Sequence, residues 1–237
     1  MMKHPVPSGG SAFDAFARHY REMHDANIRL SGAGSAYFAR LKIQILACYE
    51  SDQAQQVLDL GCGDGLCAAY MHEQFPSWQI TGVDVSAESL AVARERKLPG
   101  IQFLHYDGER LPFASQQFDV IFLAGVLHHV QQSQHLPLVR EIRRVSRKQG
   151  RIYIFEHNPF NPLTRYFVHT CAFDKGVRLL KPAYVRHLLD AAGWEAQTCR
   201  YYIFWPRYSV FRPLLGLESW LAHVPLGGQY MVQAQAR

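Results

Sequence analysis

In the stretch "VLDLGCGDGLCAAYM", Val57 to Met71, Asp59 stands just ahead of three alternating glycines, Gly61, Gly63 and Gly65. The residues before the glycines form a strand-like apolar run, and those after Gly65 have a helical pattern. Glycines in a strand-to-helix turn let the backbone approach a ligand closely and offer amide N–H groups at a helix N-terminus. A nucleoside triphosphate loop needs G-x-x-x-x-G-K-[ST], and this loop contains no lysine. A dinucleotide loop needs G-x-G-x-x-G, and counting from Gly61 its last glycine is Leu66 here. What remains is G-x-G-x-G led by a carboxylate. Such a carboxylate repels a pyrophosphate and attracts an ammonium group, so the loop fits a zwitterion better than a phosphate.

Two further carboxylates end the next two strand-like runs. Asp84 follows the loop by about 20 residues, where an acidic side chain accepts hydrogen bonds from both ribose hydroxyls. Bonds to a charged group contribute about 1.5–3 kcal/mol each, so loss of Asp84 is expected to weaken nucleoside binding at least tenfold. Asp107 lies in "HYDGERLPF", where it can accept from an adenine amino group while Gly108 keeps the backbone close. The plainer readings are a strand-end turn for Asp84 and an Asp-Gly turn for Asp107. An amino acid joined to a nucleoside satisfies all three positions. S-adenosylmethionine (SAM) is such a molecule. Its ammonium can face Asp59, and its carboxylate can meet loop amides and the positive helix end.

Histidines follow the fourth and fifth strand-like runs: His128 and His129 after one, His157 after the other. Each is a candidate general base, and each can equally be a structural imidazole. Adjacent histidines cannot both point the same way, so one of the first pair is expected to pack or cap. Methyl transfer from a sulfonium is an in-line displacement. Positioning supplies about 7–11 kcal/mol of barrier reduction, and a general base adds about 10²–10⁴-fold. Positioning is the larger effect.

The elements that carry these residues alternate, which argues for βαβ units and a parallel sheet in an α/β fold. Strands are expected over Gln56–Leu60, Gln79–Asp84, Ile101–His105, Phe118–Leu123 and Arg151–Glu156. Helices are expected over Gly65–Phe75, Ala87–Arg96 and Gln134–Lys148, with Ser86 as an N-cap and Gly150 as a stop. Residues 1–11 form a polar tail. From Ala12 to about Tyr49 the pattern is helical, with breaks near 31–35, and residues 1–50 are expected to form a lid. Residues 51–237 form the main domain, with substrate-side insertions at about 157–181 and 205–228. A helix over Pro182–Ala192 and two late strands, Glu195–Phe204 and Gln229–Ala234, complete it.

With these motifs in order, the chain resembles a class I SAM-dependent methyltransferase of the small-molecule type. The matching pieces are "VLDLGCGDG", "ITGVDVSAESLAVAR", "HYDGERLPFASQQFDVIFLAGVLHHV" and "LVREIRRVSRKQGRIYIFE", covering roughly residues 55–156. The usual Pro-Gly-Gly before the fifth strand is replaced by Lys148-Gln149-Gly150. The resemblance implies a Rossmann-like, seven-stranded, mostly parallel sheet with an antiparallel last strand. By position it assigns Asp59, Gly61, Cys62 and Gly63 to the methionyl part, and Asp84 and Val85 to the ribose and one adenine face. Asp107 and Gly108 fall at the adenine edge, and Ala124 near the sulfonium. His128 matches a histidine that the related phosphoethanolamine methyltransferases pair with an N-terminal tyrosine, for which Tyr20 is the candidate here.

The remaining signals narrow the acceptor. Asn158-Pro159-Phe160 is compared with the Asn-Pro-Pro-Tyr signature of base-methylating enzymes, but it follows the fifth strand and lacks the second proline. The basic stretch "REIRRVSRKQGR" places Arg143, Arg144, Arg147 and Lys148 in the last turns of an expected helix, where cations complement the dipole. Nucleic acid is therefore not the expected partner. No H-x₃-H pair sits beside acidic ligands, so no metal is expected. The five cysteines show no C-x-x-C pair and read as reduced thiols. The first residues lack the apolar core of a signal peptide, and no run is long enough for a membrane span, so the expected location is cytoplasmic. The aromatic insertions, with Trp205, Tyr208, Phe211, Trp220, Phe160, Tyr166, Phe167 and Phe173, either pack added helices or form an apolar acceptor pocket or membrane-surface contact. Arg165, Arg207 and Arg212 could then meet an anionic group. The expected activity is methyl transfer to a small, lipophilic or aromatic acceptor, with oxygen slightly favoured over carbon or nitrogen. An inactive SAM-binding subunit, a nucleic-acid methyltransferase and a nicotinamide oxidoreductase are the alternatives.

Overall fold

A computed structural model describes residue 14, residues 17–172, residue 174 and residues 176–237. The polar tail, the start of the helical segment at Ala12, and Phe173 lie outside these residues.

The strands are β1 (Gln56–Leu60), β2 (Gln79–Asp84), β3 (Gln102–His105), β4 (Phe118–Ala124), β5 (Ser146–His157), β6 (Trp194–Tyr202) and β7 (Gln229–Ala236). They form one sheet in the order β3-β2-β1-β4-β5-β7-β6. β1 to β5 pair in parallel, and β7 runs antiparallel to both β5 and β6. This is the expected Rossmann-like, seven-stranded, mostly parallel sheet. β1 and β4 read as nearly continuous apolar runs because both faces of a central parallel strand are covered. Val57, Leu58, Leu60 and Val120 to Leu123 are buried accordingly.

The helices are α1 (Tyr20–Asn27), α2 (Ser35–Leu46), α3 (Leu66–Gln74), α4 (Ala87–Glu95), α5 (Gln132–Val145), α6 (Pro162–Thr170), α7 (Pro182–Ala191) and α8 (Glu218–Leu221). Two apolar clusters result. One contains Ile43 and Leu46 of α2, Met71 of α3 and Leu90 of α4; the other contains Val139 and Ile142 of α5 with Val185 and Leu189 of α7. Ser86 does cap α4, its hydroxyl accepting from the Ser89 N–H at 3.1 Å. The chain turns from β1 toward β2 on one side and reaches β4 on the other. The crevice above the carboxyl ends of β1 and β4 is therefore the switch point where such sheets bind ligands.

The helix before β5 ends earlier than the sequence pattern implied. α5 stops at Val145, and Ser146 is already extended. The amides of Gln116 and Gln117 donate to the carbonyls of Arg144 and Val145, taking up acceptors that another helical turn would have used. Gly150 is accordingly not a helix stop but part of β5. Arg147 and Lys148 leave the helix, and Arg147 instead pairs with Asp119 at 2.8 Å.

The N-terminal helices are tied to the ligand end of the sheet. Arg21 of α1 donates to Asp64 of the glycine loop at 2.8 and 2.5 Å, and Arg96 donates to the same carboxylate at 2.6 Å. Asp25 accepts from the Ser35 amide at 2.6 Å and joins α1 to α2. The 205–228 segment folds as a 3-10 stretch, Ser209–Leu217, followed by α8. Glu218 anchors it, accepting from Arg207 and from the Phe204 amide.

Candidate functional site

A strand leaving the sheet centre must turn sharply to enter a helix, and the loop after β1 does so with Gly61, Gly63 and Gly65 all at positive φ. Two of these glycines have separate reasons. A Cβ at Gly61 would stand 2.5 Å from Val126 Cγ2, so only glycine allows the loop to close on the β4 side. A Cβ at Gly63 would meet nothing within 4 Å, because that face opens into a cavity.

The cavity has a volume of about 1690 Å³ and lies across the switch point. Every cofactor-binding and catalytic candidate read from the sequence lines it: Asp59, Gly61, Cys62, Gly63, Asp84, Val85, Asp107, Gly108 and Ala124, and also Tyr20, His128, His129 and His157. A pocket for one drug-sized ligand occupies about 300–1,000 Å³, so this one has room for a nucleoside cofactor and an acceptor together.

The carboxylates at its nucleoside end differ in state. Asp59 is 2% exposed and its Oδ2 has no hydrogen-bond partner among the described residues. Burial, with Asp84 and Asp64 nearby, pushes its carboxyl up to about 8. A buried, unpartnered carboxylate oxygen is costly unless a donor or cation reaches it. Asp84 accepts from the amides of Gly63 and Ser86, at 2.8 and 2.9 Å. Burial raises its pKa, and those backbone N–H groups oppose the rise. Asp107 is exposed and accepts from the amides of Arg110 and Glu109, which hold its carboxyl below the usual range. That is an Asp-Gly turn, placed at the cavity wall.

The loop amides are already engaged, contrary to the expectation that they would meet a carboxylate. The amides of Gly61 and Cys62 donate to the Val83 carbonyl at 2.8 and 3.0 Å, and that of Gly63 donates to Asp84. Positive charge comes instead from the N-terminal helices. Arg21 and Lys42 line the cavity, and burial lowers the Lys42 pKa. The sequence analysis missed both. Their only signal is a cation placed on otherwise amphipathic helices.

The histidines gather at the other end. The carboxylate of Glu156, at the end of β5, approaches His128 Nδ1 to 2.5 Å and accepts from the Leu127 amide at 2.9 Å. Asp174 Oδ1 lies 3.9 Å from His128 Nε2 and 3.4 Å from His129 Nε2. Burial opposes charge on His128, but Glu156 and Asp174 outweigh it and raise its pKa to about 10. Burial and the neighbouring His128 lower His129 to about 3 and His157 to about 4. Without a ligand, His128 is therefore an imidazolium near neutral pH, while His129 and His157 are neutral. The ring of His157 lies 5.2 Å from that of His128. Tyr20 faces the same cavity, its hydroxyl held above the usual tyrosine range by burial. Glu156 and Asp174 were absent from the sequence reading, as was the grouping of His128, His129 and Asp174, whose ligand atoms lie within 4.8 Å of one another.

The insertions divide. Trp205 stacks on Phe211, and Trp205, Phe204 and Phe167 line the cavity. Phe160, Tyr166 and Tyr208 are exposed, and Trp220 is 85% exposed.

A sheet with this strand order, a glycine loop after β1 and carboxylates ending β1 and β2 defines the class I nucleoside-binding methyltransferase fold. Residues 57–150 match the family model described as a methyltransferase domain. The demethylmenaquinone methyltransferase of Thermotoga maritima is 35% identical over 107 residues, 45% of this chain and 45% of that protein. The malonyl-[acyl-carrier protein] O-methyltransferase of Legionella pneumophila is 32% identical over 142 residues, 57% of this chain and 46% of that protein. The chain thus spans about half the length of these curated relatives. Among solved structures, an S-adenosylmethionine-dependent methyltransferase from Mesorhizobium loti superposes with a TM-score of 0.64 at 20% identity, covering 85% of this chain and 100% of that one. Residues 57–150 thus match a methyltransferase domain, set in a fold shared with SAM-dependent methyltransferases, and SAM is the cofactor implied. The residues present fit that cofactor, since among the described residues Asp59 Oδ2 lacks a partner where an ammonium is required and Gly63 leaves its face of the cavity open.

Proposed function

We propose that this chain transfers the methyl group of SAM to a small, apolar acceptor that carries an acidic hydroxyl, as a phenol or quinol does. The observation that carries this reading is one cavity with a carboxylate end suited to a nucleoside amino acid and a histidine end bordered by aromatic side chains. When bound, SAM supplies an activated methyl group on a sulfonium. Asp59 holds the ammonium and Asp84 the ribose, with Val85, Asp107 and Gly108 around the adenine. Gly61, Cys62 and Gly63 shape the floor, and Arg21 or Lys42 receives the carboxylate. Ala124 faces the reacting centre.

Phe167, Phe204 and Trp205 exclude water around the acceptor. His128, protonated between Glu156 and Asp174, donates to an acceptor oxygen and stabilises its anionic form. The neutral His157 accepts its proton, and Tyr20 orients it from α1. Methylation at oxygen uses that oxyanion directly. Methylation at an adjacent ring carbon starts from the same anion and ends with the displaced ring proton moving to oxygen, which restores the hydroxyl; the ubiquinone/menaquinone biosynthesis C-methyltransferase of Desulfotalea psychrophila, 35% identical over 107 residues, favours this second outcome. The α1–α2 region acts as a lid, held to the loop by Arg21 and Asp64. Among the described residues no helix is long and apolar enough to cross a membrane. The exposed aromatics of α6 and the 205–228 segment support peripheral contact with a membrane that holds a lipophilic acceptor.

The test uses purified protein, methyl-labelled SAM and a panel of phenols, quinols, amines and hydroxy acids. Transfer to hydroxyaromatics with apolar tails supports the reading, and product analysis assigns oxygen or carbon. Binding of S-adenosylhomocysteine without transfer to any acceptor points instead to a cofactor-binding partner subunit. Liposomes that neither bind the protein nor change its rate remove the membrane contact.

A further inference from the structure

We propose that His128, His129 and Asp174 form a binding site for a divalent first-row transition-metal ion at the acceptor end of the cavity. Asp174 Oδ1 lies 3.4 Å from His129 Nε2 and 3.9 Å from His128 Nε2. A tetrahedral ion with ligands at about 2.0–2.1 Å holds neighbouring ligand atoms about 3.3–3.4 Å apart. The His129–Asp174 pair already meets that spacing; His128 must close by about half an ångström toward Asp174, and the three ligand atoms, which lie within 4.8 Å of one another, must draw in by up to about 1.4 Å.

The surroundings of His128 resemble those of a ligand rather than of a simple ion-pair partner. A metal-bound imidazole generally gives its other ring N–H to a carboxylate, which fixes the tautomer and aims the ligating nitrogen. Here Glu156 takes Nδ1 at 2.5 Å and is itself fixed by the Leu127 amide, which leaves Nε2 directed at Asp174. The two buried carboxylates have imidazoles as their ion-pair partners, so a dication shared by the cluster balances a locally acidic pocket. Two imidazoles and one carboxylate suit zinc, iron, cobalt or manganese, and leave coordination positions open. Because His128 and His129 line the cavity, an oxygen of the acceptor can take one of them. On binding, the ion replaces the His128 Nε2 proton and takes over the imidazolium's part in stabilising the acceptor's anion, a role that rests on the proposed methyl transfer to a hydroxyl-bearing acceptor. The metal site itself rests only on the geometry.

The test is a titration of chelator-treated, full-length protein with Co(II), followed by visible absorption, and with Zn(II), followed by calorimetry. One equivalent is expected to bind with micromolar or tighter affinity and to give the intense visible bands of a low-coordinate Co(II) site. His129→Ala and Asp174→Asn should each weaken binding at least tenfold, and Glu156→Gln about 10–100-fold through His128. Each variant is checked for folding by its binding of S-adenosylhomocysteine. The inference is overturned if the wild type binds neither ion below millimolar concentration, or if all three variants bind as the wild type does. Failure of the wild type to bind S-adenosylhomocysteine sinks the cofactor reading instead, and the metal titration still decides this one.

Discussion

Lowering the pH should loosen the cofactor's hold on this protein, because Asp59 must lose a proton to receive an ammonium group. Its carboxyl sits at about 8 in the ligand-free cavity. Beside a bound ammonium it returns to an ordinary carboxylate value, so binding releases a proton at any pH between those limits. At pH 8 about half of the sites are ready; at pH 6 about one in a hundred is. The affinity for S-adenosylhomocysteine should therefore fall about 50-fold from pH 8 to pH 6, on the order of 2 kcal/mol. Calorimetry in buffers of different ionisation enthalpy would read both the affinity and the proton release, which should approach one at pH 6. Asp59→Asn should bind at least tenfold more weakly at pH 8 and lose the slope. The sign for stability is opposite. The native state of the free protein binds more protons than the unfolded chain between about pH 4 and 8, so its stability falls as pH rises through that window. Without ligand, Asp59→Asn should therefore be the more stable protein at pH 8, by a few kcal/mol in order of magnitude. A wild-type affinity flat from pH 6 to 8, or an unchanged slope in Asp59→Asn, would refute the reasoning.

Other perturbations separate folding from binding. Gly61→Ala drives a Cβ to 2.5 Å from Val126 Cγ2 and should lower the melting temperature, whereas Gly63→Ala has open space and should fold with only about 1 kcal/mol of strain. Gly63→Ala should nonetheless bind S-adenosylhomocysteine at least tenfold more weakly by calorimetry. Arg21→Ala removes two of the bonds from α1 to the nearly buried Asp64, so limited proteolysis should cut near α1 sooner and the cofactor analogue should bind more weakly. His128→Ala leaves Glu156 a buried carboxylate without its partner, at a cost of about 3–5 kcal/mol. It should also lower turnover at least tenfold while cofactor affinity barely moves; turnover equal to wild type would remove His128 from the mechanism.

The parts of the site that were legible in the sequence are those made by neighbours in the chain. β1 and β2 were read to the residue because apolar runs bounded by polar and glycine residues have few other uses in a parallel sheet. The carboxylate-led glycine loop, Asp84 and Asp107 followed because strand ends of such a sheet face one edge. The end of α5 was misread because its basic pattern continues to Lys148, and only the capture of its last carbonyls by Gln116 and Gln117 stops it.

The sequence by itself determined the sheet, the edge at which ligands gather and the kind of cofactor, since alternation, spacing and residue type are local properties of a chain. Only the tertiary structure decided how the charges are partnered. It spent the loop amides on Val83 and Asp84, left Asp59 Oδ2 without a partner among the described residues, and brought Arg21 and Lys42 over the cavity. It also set Glu156 and Asp174 around His128. Those outcomes depend on distances between residues far apart in the chain and on burial that strengthens every unscreened charge, and neither is written in the order of the amino acids.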